Sequence, residues 1–225
     1  MQSNFIKAWQ EDGLIISSRY EDKIAADGMD SAKSLGERSN KKDFLFHSKL
    51  FQGITLNDNS SILDIGCGKG ELLTFLNHHY PEAQIDKYLG LDIVAPFIDF
   101  ARNHYPHYQF QLQNFASNKF FLDEPFDIVV ALGVLVSRVR NYTEYVEYFI
   151  DKMLRCSSRQ VLFNLISEVD ISAENYINYI QVGHSTTFSK QVLESILDKF
   201  ENITFTIMEE KIFSDATDMF IRIIK

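Results

Sequence analysis

The chain has 225 residues, of which 45% are hydrophobic, and is therefore long enough to bury a sizeable core as one large domain with or without a small addition. Its 22 basic and 31 acidic residues give a formal net charge of −9, which repels polyphosphates, and the densest basic cluster, Lys41-Lys42, is too small to reverse this. We therefore expect neither nucleic acid nor an anionic membrane surface as a partner.

The first 59 residues show no convincing strand pattern. They are predicted to form a helical N-terminal cap. Residues 60–225 are predicted to form a second unit, in which strands and helices alternate. Glycines are expected to break the cap into separate helices. These glycines are Gly13, Gly28, Gly36 and Gly53.

The second unit begins with the first of seven predicted strands. In chain order these are Ser61–Ile65, Tyr88–Asp92, Tyr108–Leu112, Phe126–Leu132, Gln160–Ile166, Ile203–Glu209 and Met219–Ile223. The predicted helices are Glu71–Tyr80, Pro96–His104, a helix capped by Asn141 that runs to Arg155, and a helix capped by Ser189 that ends near Phe200. Strands that alternate with helices through short links predict a mostly parallel α/β sheet covered on both faces. The last two strands, separated by the polar stretch Lys211–Asp218, are expected to pair as an antiparallel hairpin.

A glycine-rich loop, Asp64-Ile65-Gly66-Cys67-Gly68-Lys69-Gly70, joins the first predicted strand to the helix after it. Its glycines permit a tight turn, let a ligand approach bare backbone and let the helix start close to the sheet. Asp92 ends the next predicted strand. Because parallel sheets bind ligands beyond the carboxyl ends of their strands, this setting predicts a cofactor site.

The residues around this loop disfavour a phosphate-bearing cofactor. A dinucleotide fingerprint that starts at Gly66 requires glycine at position 71, where the chain has Glu71, whose carboxylate competes with a pyrophosphate for the helix N-terminus. Asp64 adds a second negative charge. Lys69 is followed by Gly70 rather than by Ser or Thr, so the phosphate-binding P-loop motif is absent too. A cationic ligand without phosphate fits these surroundings better.

The stretch Ile62–Gly70 matches the pattern D-x-G-x-G-x-G after a hydrophobic strand and resembles motif I of class I S-adenosylmethionine-dependent methyltransferases. The resemblance covers roughly residues 60–225 and implies a Rossmann-like α/β fold with S-adenosylmethionine as cofactor. It implies that Asp64 and the loop backbone hold the methionine end, that Asp92 binds both ribose hydroxyls and that Ile93 packs on the adenine. The loop positions concerned are Gly66, Cys67, Gly68 and Gly70.

Four further positions are expected to line the cofactor cleft. Asn114-Phe115 follows the third strand, where the family often has an acidic residue that contacts the adenine amine, and the Asn114 amide is the candidate replacement. Leu132-Gly133 ends the fourth-strand motif. Arg38 or Arg19, in the N-terminal segment, is expected to hold the cofactor carboxylate.

Methyl transfer from a sulfonium needs alignment of the acceptor and exclusion of water, and it needs a general base only where the acceptor must lose a proton. The candidate residues on the acceptor side are His184, His47 and Tyr20, followed by Arg138 and Glu168. After the fourth strand the chain has no N/D-P-P-Y/F motif and no Pro-Cys nucleophile, so base-modifying nucleic-acid enzymes are not expected. We therefore predict a small-molecule acceptor.

Two other functions remain open. A non-catalytic S-adenosylmethionine-binding module, acting as a sensor or partner subunit, would carry the same loop. A nicotinamide-dependent oxidoreductase is the third possibility, and Glu71 argues against it.

The two cysteines, Cys67 and Cys156, are far apart and indicate no disulfide framework. Since no segment has the apolar length of a signal peptide or a membrane span, we expect a cytoplasmic protein. The histidine pairs His78-His79 and His104/His107 lack further ligands at a suitable spacing, so no metal site is expected. The sequence leaves the oligomeric state open.

Overall fold

The computed structural model describes residues 2–35, 44–56, 60–173, 176 and 184–225. The N-terminal segment contains helix α1, a short 3-10 helix and helix α2. Their bounds are Gln2–Asp27, Ala32–Leu35 and Leu45–Leu50. The predicted boundary between the cap and the second unit lies between residues 59 and 60, and this division into two units stays a prediction.

The described part of residues 60–225 contains seven strands and four helices. The strands are β1 (Ser60–Ile65), β2 (Ile85–Asp92), β3 (Gln109–Leu112), β4 (Phe126–Ala131), β5 (Ser157–Val169), β6 (Thr204–Phe213) and β7 (Ala216–Ile224). The helices are α3 (Glu71–His79), α4 (Ala95–His104), α5 (Tyr142–Cys156) and α6 (Lys190–Leu197).

All seven strands form one sheet in the order β3-β2-β1-β4-β5-β7-β6. The five strands from β3 to β5 pair in parallel, whereas β7 lies antiparallel between β5 and β6. The predicted α/β sheet with an antiparallel C-terminal hairpin is therefore confirmed. Strand order reverses between β1 and β4, so the loops after these two strands face each other across a crevice.

The core consists of two hydrophobic clusters, which cover the two faces of the sheet. One contains the buried stripe of α5, including Val146, Phe149 and Met153, together with Trp9 of α1. The other contains Phe75 of α3 and Phe51 after α2. Both parts of the N-terminal segment are thus packed into the main cores.

The predicted helix break at Gly13 is wrong, since α1 runs without interruption from Gln2 to Asp27. A side chain at position 13 would lie 2.5 Å from the Asn114 amide nitrogen, so the glycine permits close packing of α1 against the loop after β3. Gly28 does end the helix: its φ is +82° and its N–H donates to the Ile24 carbonyl at 2.9 Å. Gly36 lies outside the described residues.

The hairpin strands extend further than predicted. Most of the polar stretch Lys211–Asp218 belongs to β6 and β7, and Phe213 and Ala216 are register partners on either side of the turn. β6 is an edge strand with alternating exposure, which is why charged residues are tolerated along it. Among the described residues, no helix combines the length and apolar character that crossing a bilayer requires.

The two predicted helix caps differ in outcome. Ser189 caps α6, with its hydroxyl accepting from the Val192 N–H at 3.5 Å. Asn141 occupies the N-cap position of α5, but its backbone is left-handed, with φ at +51°, and its side chain makes no capping bond. The predicted position is right, and the predicted side-chain cap is wrong.

Candidate functional site

A cavity of about 400 Å³ lies beyond the carboxyl ends of β1, β2, β4 and β5. Helix α1 crosses it and contributes a stripe of lining residues about one turn apart: Trp9, Gly13, Ile16, Arg19, Tyr20 and Lys23. Cavities of this size are typical of small-molecule and cofactor sites. Because these residues lie along one helix, α1 forms one wall of the cavity.

The loop after β1 has left-handed backbone at each of its glycines, with φ values of +72° at Gly66, +53° at Gly68 and +91° at Gly70. A side chain at Gly66 would collide with Val134, which follows β4, so the two facing loops touch at this point. Gly66 and Gly68 line the cavity. Gly70 lies outside the described lining and starts α3, where a side chain would meet the Tyr105 ring at 2.7 Å.

Asp92 is fixed by two backbone amides. Its Oδ2 accepts from the Gly68 N–H and its Oδ1 from the Val94 N–H, both at 2.9 Å. The residue is 9% exposed and lines the cavity, and burial raises the pKa of its carboxyl. Because each carboxylate oxygen has a second lone pair, Asp92 can accept two further hydrogen bonds from a bound ligand.

Asp64 and Glu71 surround the same loop with further carboxylates. The Tyr88 hydroxyl donates to Asp64 Oδ2 at 2.6 Å, and Glu71 Oε2 accepts from the Lys69 N–H at 2.9 Å. Burial raises the pKa of Asp64 to about 7, and burial likewise raises that of Glu71 to about 7. Glu71 thus accepts a hydrogen bond from a loop amide that a bound phosphate would need. A cationic ligand, in contrast, would stabilise the ionised form of both carboxylates.

Cys67 lies within the loop and is 3% exposed. A side chain at Gly90 of the neighbouring strand would lie 2.8 Å from its sulfur. Burial and the nearby carboxylates raise the pKa of the thiol, so it is neutral and acts as a packing residue that lines the cavity.

The predicted adenine and β4 positions also line the cavity. Asn114 Oδ1 accepts from the Ala116 N–H at 2.9 Å, which fixes the side chain, while Phe115 packs on Phe149 with ring centroids 4.8 Å apart. The Ile93 carbonyl accepts from Ser17 of α1 at 2.9 Å. These residues and Asp92 lie at one end of the cavity.

The loop after β4 is held from the next strand. Leu132 and Gly133 line the cavity, and the Gly133 N–H donates to Asn164 Oδ1 of β5 at 2.7 Å. Asn164 was not predicted as a site residue. Asn164 is buried and is the one polar residue of the run 161–166, and this pattern could have identified it from the sequence.

The three candidate catalytic residues, Tyr20, His47 and His184, all line the cavity. Burial, followed by the charges of Arg19 and Lys23, lowers the pKa of His184, so its ring is neutral near pH 7 and suited to accept a proton. His47 is 8% exposed and stacks on Phe75 with ring centroids 5.4 Å apart.

The remaining predicted residues have different positions. Arg19 lines the cavity and donates from Nη1 to the His184 carbonyl at 3.3 Å. Arg38 lies outside the described residues. Arg138 and Glu168 are not among the described lining residues, although the Arg138 N–H donates to the His184 carbonyl at 3.1 Å.

Several lining residues were not predicted because they come from distant parts of the chain. These are Trp9, Lys23, Phe46, Phe213 and Asp218. They carry no local motif, and only the packing of α1, α2 and the hairpin against the sheet brings them together. Within the described residues, no group of three or more His, Cys, Asp or Glu side chains is placed to hold a metal ion.

Residues 56–210 match a protein-family model described as a methyltransferase domain. Among solved structures, the chain is 16% identical to the magnesium protoporphyrin IX methyltransferase of Synechocystis PCC 6803 with bound S-adenosylhomocysteine, covering 93% of this chain and 99% of that one at a TM-score of 0.61. It is 14% identical to an S-adenosylmethionine-dependent methyltransferase of Mesorhizobium loti, with 79% and 96% covered and a TM-score of 0.60.

A third similar structure is the phosphoethanolamine N-methyltransferase 2 of Haemonchus contortus, in complex with phosphomonomethylethanolamine and S-adenosylhomocysteine. The identity is 12%, the alignment covers 92% of this chain and 60% of that one, and the TM-score is 0.63. At these identities the likenesses show the shared fold. No curated protein has a sequence that matches the chain significantly.

Proposed function

The chain belongs to the methyltransferase-domain family whose model it matches, and from this premise we propose that it transfers a methyl group from S-adenosylmethionine to a small-molecule acceptor in the cavity beneath α1. It is an S-adenosylmethionine-dependent methyltransferase of the class I fold. The proposal extends this to the kind of acceptor and to the residues that carry the reaction.

The observation that carries the proposal is the position of Asp92. Its carboxylate is held by the amides of Gly68 and Val94, with lone pairs left for a ligand, at the end of β2 and beside the loop that borders the crevice between β1 and β4. A ribose with two adjacent hydroxyls fits this acceptor. Gly66 and Gly68 present bare backbone beside it, and the carboxylates of Asp64 and Glu71 suit a ligand that bears a sulfonium and an ammonium group.

When bound, the cofactor supplies an electrophilic methyl group on sulfur. The protein's own residues then have three tasks: Asp92 and the loop orient the cofactor, α1 excludes water, and the far side of the cavity aligns the acceptor. His184, which lines the cavity and has a lowered pKa, is the proposed base where the acceptor must lose a proton. Tyr20 and His47 line the same space and are the other candidates for this role.

A small acceptor is supported by the size of the cavity, about 400 Å³, and by the net charge of −9. A duplex or folded nucleic acid would require an open, basic surface instead. The similar structures include enzymes named for a porphyrin and for phosphoethanolamine, both of them small molecules.

The cofactor site is tested by isothermal titration with S-adenosylmethionine and S-adenosylhomocysteine. We expect both to bind the wild type and Asp92→Ala to weaken binding at least tenfold, because the ribose loses a charged hydrogen-bond acceptor, which is worth about 1.4 kcal/mol or more. The matched control is Asp86→Ala, which removes an exposed carboxylate from the same strand. Undiminished binding by a folded Asp92→Ala variant would contradict the assigned role.

The acceptor is tested with cofactor that carries a deuterated methyl group, incubated separately with a metabolite extract, with RNA and with unrelated protein. Mass spectrometry is expected to find the label in a small molecule, and less of it with His184→Ala where the acceptor must lose a proton. Label that enters only RNA or protein would overturn the small-molecule proposal.

A further inference from the structure

Apart from Asp218 on β7, the charges that line the cavity are grouped by sign. The carboxylates of Asp64, Glu71 and Asp92 surround the loop after β1, where the proposed cofactor site lies. Among the described residues that line the cavity, one is an arginine and one a lysine, Arg19 and Lys23, and both lie on α1. The lining also contains apolar side chains, among them Ile16, Val134 and Val136.

Arg19 and Lys23 are one helical turn apart and share an aromatic neighbour. The Arg19 guanidinium carbon lies 5.5 Å and the Lys23 ammonium nitrogen 4.8 Å from the centroid of the Tyr20 ring. Like charges at this spacing destabilise a helix. Burial lowers the pKa of Lys23, and the charge of Arg19 lowers it further, against the opposing effect of Asp27. The protein thus keeps two repelling, partly desolvated cations at the wall of its cavity.

The guanidinium of Arg19 has hydrogen-bonding capacity left over. Nη1 donates to the His184 carbonyl at 3.3 Å, but Nε is buried and has no hydrogen-bond partner among the described residues. A buried donor of a charged group without an acceptor is unfavourable. An oxyanion in the cavity would give the guanidinium an acceptor, and a planar guanidinium suits a carboxylate or phosphate particularly well.

The position of these cations separates them from the cofactor end. Arg19 contacts residue 184, and the segment 184–186 pairs with residues 136–138, which follow β4. Gly13 and Ser17, on the neighbouring face of α1, contact Asn114 and Ile93 instead. The basic pair therefore faces the side of the cavity that remains for the acceptor.

We propose that Arg19 and Lys23 bind an anionic group, a carboxylate or a phosphate, on the methyl acceptor, while the apolar walls hold the rest of that molecule. The inference rests on the proposed function and adds the chemical class of the acceptor. The remaining lining carboxylate, Asp218, lies on β7 and is 4% exposed. It is not among the charges that shift the pKa of Lys23 or His184.

The test uses the full chain saturated with S-adenosylhomocysteine and three small probes: phenylacetate, phenyl phosphate and the neutral phenylacetamide. Ligand-detected NMR titration gives a dissociation constant for each. We expect at least one of the two anions to bind tenfold or more tightly than the amide, and the stronger anion identifies the carboxylate or the phosphate class. Arg19→Gln and Lys23→Gln are each expected to reduce this preference at least threefold.

The matched control is Lys7→Gln, which removes one positive charge from an exposed position of the same helix. It should leave the preference for the anion unchanged. Three results would each overturn the proposal. The anions could bind no more tightly than the amide, the preference for the anion could survive both substitutions, or Lys7→Gln could reduce it as much as they do. Lys23→Gln keeps the test valid if Arg19→Gln fails to fold.

Titration of S-adenosylhomocysteine into every variant separates this inference from the proposed function. Unchanged cofactor binding in the Arg19 and Lys23 variants supports an acceptor role. Loss of cofactor binding in Arg19→Gln with the anion preference intact would assign Arg19 to the cofactor carboxylate and overturn its role here. A wild type that binds no S-adenosylhomocysteine would instead contradict the proposed function itself.

Discussion

Gly66 and Gly53 have the same left-handed backbone conformation, with φ at +72° in both, but their surroundings differ. A side chain at Gly53 would meet nothing within 4 Å, whereas one at Gly66 would collide with Val134 across the crevice. At the residue scale, Gly53 is required only by its left-handed backbone. Gly66 is required also because there is no room for a side chain beside Val134. The sequence marks both as glycine and cannot distinguish them.

We predict that Gly53→Ala costs about 1–2 kcal/mol, which is the cost of a left-handed alanine, and leaves cofactor binding unchanged. Gly66→Ala is expected to cost more, because the loop after β4 must also move, and to weaken S-adenosylhomocysteine binding at least tenfold. Urea denaturation gives the two free energies of unfolding, and calorimetry gives the two affinities. Equal effects of the two substitutions on both quantities would refute the role of the Gly66 contact.

At the scale of elements, α1 is held by polar contacts from both of its halves and from the segment that follows it. Near its start the Trp9 indole donates to the Arg140 carbonyl at 2.8 Å, and in its second half Ser17 donates to Ile93. Beyond its end, the Lys69 ammonium donates to the Met29 carbonyl at 2.9 Å and to the Ser31 carbonyl at 3.3 Å. Lys69, in the loop after β1, thus holds the segment that follows α1 against this loop.

We predict that Lys69→Met loosens this segment. Loss of both carbonyl contacts should increase hydrogen exchange at amides of residues 28–35 and speed the release of S-adenosylhomocysteine severalfold, while exchange in the central strands stays unchanged. Exchange mass spectrometry and stopped-flow displacement measure the two effects. Lys119→Met, at an exposed position, is the control. Wild-type exchange across residues 28–35 in the Lys69 variant would show that the contact does not hold the segment.

The elements also show where local pattern and tertiary context disagree. The glycine at position 13 predicts a break, yet α1 continues, because the interactions along the helix outweigh the cost of about 1 kcal/mol for one glycine. The polar residues 211–218 predict a loop, yet they pair across a hairpin whose outer strand has one face in water. For α1 the contacts with Asn114 and Ile93 are with residues distant in the sequence, and for the hairpin β7 also pairs with the distant strand β5, as Asp218 does with Ile166.

For the whole molecule, the buried carboxylates link stability to pH. The pKa of Glu71 is about 7 in the folded protein against 4.5 for an ordinary glutamate. Because the folded state binds this proton more tightly than the unfolded state does, the stability that the protonated Glu71 contributes is fully present below pH 4.5. It is lost as the pH rises to about 7.

We therefore predict that the wild type loses about 1–3 kcal/mol of stability relative to Glu71→Gln between pH 5 and pH 8. Glutamine retains an oxygen that can accept from the Lys69 N–H but does not ionise. Urea denaturation at several pH values measures the difference, with Glu82→Gln, an exposed position, as the control. A difference between wild type and Glu71→Gln that is constant with pH would mean that Glu71 does not ionise in this range.

The sequence by itself determined the order of strands and helices, the glycine loop and Asp92, and with them the fold and the cofactor. These features are local, because hydrophobic periodicity, glycines with left-handed backbone and a strand-ending carboxylate each act within a few residues of chain. Only the tertiary structure decided what faces the cofactor site. It placed α1 across the crevice through contacts between residues more than 70 positions apart, such as Trp9 with Arg140 and Ser17 with Ile93. The basic pair on that helix acquires its position from packing that no local pattern encodes.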